Sequence, residues 1–223
     1  MKLIESWRFA IRCMKLSDNL KMNLICGVVV FVIALVQEIA NHGYNVVGAM
    51  LLMTVAVYPA QMIFSICGSQ LVQSSPYKKS IMTSLTTVIT FCSGILCYLI
   101  VIGIEGIRVI ADPETAGKSA CIILFAGILL VLMKVYVSVV YRYRVVSVFV
   151  MTGSITFYSY FATMFINDKM SSRWLSEMSM PVAIMAGLCF AVLGSLLQYG
   201  ISLLLYKKPI SRNAIYGLLR QQE

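Results

Sequence analysis

One histidine, five prolines, two tryptophans and nine acidic residues are all that 223 positions hold of those types. Each scarcity argues against a class of function. The lone histidine, His42, lies between two apolar runs, so no His-x-x-Glu-His zinc pair and no Ser/His dyad can form inside one. Aspartate pairs are also missing from the apolar runs, which argues against an intramembrane protease. Seven cysteines (13, 26, 67, 92, 97, 121 and 189) fall mostly within those runs, where a small thiol is packing rather than a disulfide framework. Charged residues make up only 12% of the chain.

What fills the chain instead is apolar sequence, 60% of all residues, with a mean hydropathy of +0.87. Six stretches are each long enough to cross a bilayer: Leu24–Ala40, Tyr44–Cys67, Ile81–Glu105, Ser119–Tyr141, Val145–Ile166 and Pro181–Tyr206. About 20 apolar residues span the hydrocarbon as a helix, because a helix satisfies its own backbone groups. The expected fold is all-α and integral to a membrane, one domain over 1–223, with six spans between 24 and 206 and a tail from 207 to 223.

The net charge of +9 then reads as topology rather than as nucleic-acid binding. With the N-terminus inside, the inner segments hold 14 of the Lys and Arg residues and the outer ones only Arg108, Lys118, Lys169 and Arg173. Both termini are therefore expected in the cytoplasm of a multi-pass plasma-membrane protein. No cleavable signal peptide is expected, since the first 23 residues lack an uninterrupted apolar core.

Those first 23 residues read as an amphipathic interfacial helix. Leu3 or Ile4, Trp7, Ile11 and Met14 recur at helical spacing, with Arg8, Arg12 and Lys15 among the residues of the other face. Such a helix lies against membrane lipid, and Ser17-Asp18-Asn19 breaks it from the first span. Between spans two and three, Ser75 is placed to cap a helix and Pro76 to occupy its first position. Tyr77, Lys78 and Lys79 would be presented on that short helical turn. The plainer reading is a capped loop whose lysines obey the positive-inside rule. No connection is long enough for a folded soluble domain, so any energy-transducing domain would come from another polypeptide.

Ala116-Gly117-Lys118-Ser119 imitates the end of a phosphate-binding loop, but Asp112 stands where the motif's first glycine belongs, and no soluble strand precedes it. Glu38 and Glu105 fall at outer span ends and Lys134 toward an inner one, which leaves nothing charged deep in the bilayer. That weakens a proton- or sodium-coupled carrier. The interior is expected to carry uncharged polarity: Thr83, Thr86 or Thr87, Thr90 and Ser93 on span three, and Thr152, Thr156, Ser159 and Thr163 on span five. These hydroxyls either bond their own helices or line a mildly polar pathway. Ala183, Gly187, Ala191 and Ser195 form a small-residue ridge on span six, and Pro59 with Gln61 predicts a kink in span two whose freed carbonyl needs a partner.

Taken together, the amphipathic N-terminal helix, the six spans, Ser75-Pro76-Tyr77-Lys78-Lys79-Ser80 and the tail Lys207-Lys208-Pro209-Ile210-Ser211 resemble the ABC-2 type permeases. The likeness is to the small stand-alone membrane subunits of bacterial ABC exporters, in which the loop after span two often reads Leu-Pro followed by paired basic residues. Here Ser75 replaces the leucine. The resemblance implies a coupling helix formed by Ser75, Pro76, Tyr77, Lys78 and Lys79 that docks on a separate cytoplasmic ATP-binding subunit, with Arg142 and Arg144 as lesser contacts. It implies that Trp7, Arg8 and Arg12 anchor or transmit motion, and that 170–180 is a re-entrant element. It further implies a second permease subunit, identical or paralogous, and no cofactor in this chain, with ATP and Mg on the partner. The chain itself would not be an enzyme. The cargo class would be an amphipathic or apolar peptide, antibiotic or lipid. Two other readings fit six compact spans: a non-transporting sensor or bacteriocin-immunity component, and the substrate-binding component of an energy-coupling vitamin uptake system.

Overall fold

The computed structural model describes residues 20–40, 46–67, 72, 74–140, 143–166 and 178–206. The expected interfacial helix, the tail and the re-entrant element up to 177 lie outside the described residues. Among the described residues the chain is helical, with no strand, and six helices are long and apolar enough to cross a membrane.

The first span is α1 (Leu20–Ala40). The second is broken into α2 (Val47–Val55) and α3 (Tyr58–Cys67). The break at Ala56 and Val57 follows from Pro59, which has no N–H to give and disrupts the helical ladder around it. Ala60 turns its own N–H to Val57 O at 3.0 Å, so the Ala56 carbonyl is left without a donor from its helix. Ser93 of the third span supplies one, its hydroxyl 2.7 Å from Ala56 O. The kink legible in the sequence thus pins span two to span three.

The third span is the longest. It starts as a single turn, α4 (Lys78–Ser80), passes through a π-helical turn (Ile81–Leu85) and continues as α5 (Thr86–Ala111). Back-bonding hydroxyls stabilise the wide turn: Thr83 donates to Lys79 O at 2.6 Å and Thr86 to Ile81 O at 2.9 Å. Asp112 ends α5 in an extended conformation, and its side chain accepts from the Glu114 amide at 3.2 Å. Pro113–Thr115 is a 3-10 turn into α6 (Ala116–Val140), the fourth span. Ala116-Gly117-Lys118-Ser119 is therefore the first turn of a helix, not a phosphate loop. The fifth and sixth spans are α7 (Arg144–Ile166) and α8 (Met180–Tyr206).

α6 is the axis of the bundle. It is apolar on all sides, and its buried residues are spread over most of its circumference. α8 packs along it most extensively, and α2, α5 and α7 also contact it. The small-residue ridge makes the α8 contact possible: a Cβ on Gly127 would lie 2.6 Å from Gly187 Cα, and one on Gly194 would lie 3.1 Å from Val131 Cα. In lipid there is little hydrophobic drive between helices, so such close backbone approach carries the association. α7 is fastened by aromatics, with the Phe125 and Tyr158 rings edge to face at 5.7 Å and the Tyr158 hydroxyl on Phe125 O. α1 lies against α2 and α3.

Candidate functional sites in the helix bundle

Three features of the bundle bear on function: a basic turn at one end, a polar layer around Lys134, and a charged cluster toward the opposite end. At the basic end, Ser75 accepts from the Tyr77 amide at 3.1 Å. Pro76, Tyr77 and Lys79 are exposed, while Ser75 and Lys78 are half-buried. These residues form one turn that feeds the third span through the π-helical segment. Arg142 lies outside the described residues, as do Trp7, Arg8 and Arg12; Arg144 begins α7, but its side chain is outside them too.

The predicted hydroxyl faces are not brought to one surface. Thr83, Thr86 and Thr90 are buried, while Thr87 and Ser93 are half-buried. Thr152 and Thr156 are exposed on the outside of the bundle and donate to Val148 O and Thr152 O, both at 2.9 Å. Thr163 likewise bonds Ser159 O of its own helix at 2.8 Å, and Ser159 and Thr163 are half-buried. On the third span, Thr87 bonds Thr83 O at 2.9 Å. Most of these hydroxyls serve their own helices.

The three charged residues that the sequence places toward span ends are buried between helices. Lys134, Glu38 and Glu105 are 2%, 1% and 0% exposed. Lys134 stands six positions inside the end of α6, about 9 Å along the axis at the helical rise. Its stem runs between Gly94 and Gly194, whose missing side chains leave the room: added Cβ atoms would lie 3.8 and 3.3 Å from it. The ammonium donates to Ala191 O at 2.7 Å and to Ser195 Oγ, and it lies 5.0 Å from the centre of the Phe91 ring. A carbonyl, a hydroxyl and a π-face thus solvate one cation. One turn further along, Thr90 donates to Gln198 Oε1 at 2.7 Å and Ser138 lies 3.2 Å from Gln198 O. Together they form a layer that joins spans three, four and six. Gln198, Ser138 and Tyr98 escaped the sequence reading, although a glutamine inside a 27-residue apolar helix is itself a signal.

Glu105 was expected to end its span, but α5 runs on to Ala111, so the carboxylate sits inside the helix. Arg108, one turn later, makes this tolerable. Its Nη1 pairs with Glu105 Oε1, and its Nη2 donates to the backbone carbonyl of Glu38 at 2.7 Å. Arg108 therefore ties span three to span one. The Glu38 carboxyl group gains nothing from that guanidinium hydrogen bond, and neither of its oxygens makes any. It sits at the start of α2, so close to Gly48 that a Cβ there would lie 2.6 Å from Glu38 Cα and collide with Oε2.

No family model, curated protein or solved structure matches this chain.

Proposed function

We propose that this chain is the membrane-spanning permease subunit of an ABC-2 type transporter, powered by ATP hydrolysis on a separate cytoplasmic subunit. The observation that carries the reading is the turn Tyr77-Lys78-Lys79, with Tyr77 and Lys79 exposed, together with its continuity into the third span. From Lys78 to Ala111 the helix runs 34 residues, so a push on the turn acts on one continuous element. The π-helical turn just beyond Ser80 is its weak point, because wide turns of this kind interrupt the regular ladder and recur at functional sites. In this reading the basic end faces the cytoplasm, in accord with the positive-inside rule. Lys78, Lys79 and Tyr77 contact the ATP-binding subunit, and Arg142 and Arg144 extend that contact. A second permease subunit completes the transporter, and ATP-driven closure of the partner rocks the spans between two states.

The cargo proposed is an amphipathic or apolar peptide, antibiotic or lipid. Buried charge would argue against such a cargo if it lined an open path. Here Lys134 and Glu105 are engaged by the chain's own Ala191, Ser195 and Arg108 at helix contacts.

The test is affinity purification of the tagged chain from native membranes, comparing wild type with Lys78→Glu/Lys79→Glu. The expected result is an ATP-binding subunit recovered with the wild type and lost with the charge reversal. If no ATP-binding protein accompanies the wild type under gentle extraction, the permease reading fails.

A further inference from the structure

The Glu38 carboxyl group has no hydrogen-bond partner and is 1% exposed, and the second oxygen of Glu105 is equally unpartnered. Arg108 holds both residues, with Nη1 on the other Glu105 oxygen and Nη2 on the Glu38 backbone carbonyl, so the two acids belong to one buried cluster. With both ionised, each offers only lone pairs, and no hydrogen bond can form between them. The charge count points the same way. Among the described residues shown in contact, two carboxylates and one guanidinium leave this buried cluster with a net negative charge, which is costly in a water-poor interior. One proton removes both defects at once.

We propose that Glu38 and Glu105 form a binding site for a single exchangeable proton. Glu38 takes the proton from water, becomes a neutral acid and donates its O–H to the free oxygen of Glu105. The other Glu105 oxygen stays on Arg108 Nη1, and Arg108 Nη2 stays on Glu38 O. The cluster is then neutral and its carboxyl groups are partnered. Release reverses the step and returns the proton to water.

Among the described residues, the neighbouring elements offer no side chain shown to partner the Glu38 carboxyl group. α2, packed against Glu38, contributes the small Gly48 and Ala49. α5 contributes Glu105 and Arg108. The remaining described ionisable groups toward this end are Asp112 and Glu114, both exposed, and Lys118, half-buried at the start of α6. A divalent metal ion would demand six or more oxygen ligands, and no group of three or more His, Cys, Asp or Glu side chains able to hold one occurs among the described residues. The proton is the ligand that two carboxyl groups suffice to hold. The site does not depend on the permease reading; it requires only that the bundle stay closed around Glu38.

Infrared difference spectroscopy tests it on the full chain in lipid nanodiscs, titrated from about pH 5 to about pH 8. The expected signal is a protonated-carboxyl stretch worth one group near neutral pH, shifted in heavy water. It disappears in Glu38→Gln, where Glu105 and Arg108 balance. It also disappears in Glu105→Gln, where Glu38 ionises and pairs with Arg108. It persists in Asp112→Asn. A wild-type spectrum with no such band anywhere in that range overturns the proposal, whether or not the variants fold. So does a band that survives both glutamine substitutions. A band abolished by replacing choline with sodium assigns the gap to a metal cation, and overturns it as well.

Discussion

Lys134 and Glu38 are buried to the same degree toward opposite ends of the bundle, yet one is fully solvated by the protein and the other is not. The ammonium rests on a carbonyl, a hydroxyl and a ring, all neutral, and two glycines leave space for its stem. Removing it strands nothing, because Ser195 can itself donate to Ala191 O at 2.8 Å. The Glu38 carboxyl group makes no hydrogen bond, and Arg108 beside it is spent on Glu105 and on the Glu38 backbone. A buried charge with neutral partners acts as mortar between helices. A buried acid left without a partner is a place where a proton binds.

The largest effect should come from the arginine that keeps the acidic cluster tolerable. Arg108→Gln leaves two buried carboxyl groups without a cation and should cost about 3–5 kcal/mol of stability near neutral pH. The loss should shrink in acid, where a buried carboxyl group no longer carries charge. Lys134→Met should cost no more than about 1 kcal/mol, since an apolar chain of similar length replaces a charge that needed no counter-ion. Thermal unfolding in detergent, run at several pH values, checks both. Equal losses would erase the distinction between the two sites.

A second contrast concerns glycines on the sixth and fifth spans. Gly187→Ala must displace Tyr98, whose Cζ would lie 2.5 Å from the new Cβ, and should cost about 1–3 kcal/mol. Gly153→Ala meets nothing within 4 Å and should change stability by less than about 0.5 kcal/mol. A smaller contrast separates the two hydroxyl faces. Thr90→Val takes the partner from buried Gln198 and should cost about 1–2 kcal/mol, whereas Thr152→Val, exposed and bonded to its own helix, should be neutral within the same measurement.

The apolar runs were legible because a membrane helix needs only length and composition to declare itself. Their bounds agree with the described helices to within a few residues at most ends. The largest departure is the end of span three, where helix continues beyond Glu105 because Arg108 carries its carboxylate. Pro59 announced its kink, and the small-residue ridge its close contact. What sequence could not give was azimuth. Glu38, Glu105 and Lys134 could be ranked by height along their spans, but whether each faces lipid, water or a neighbouring helix depends on tertiary packing. Glycines at 48, 94 and 194, silent in the sequence, make room for those charges.

The permease reading rests on which end of the bundle meets the cytoplasm. Single cysteines at Ser75 and Asp112, probed with a membrane-impermeant thiol reagent before and after permeabilisation, measure this directly. The account predicts that Asp112→Cys reacts from outside in intact cells and that Ser75→Cys reacts only once the membrane is opened. Ser75→Cys labelled from outside, or both positions labelled from the same side, would contradict it.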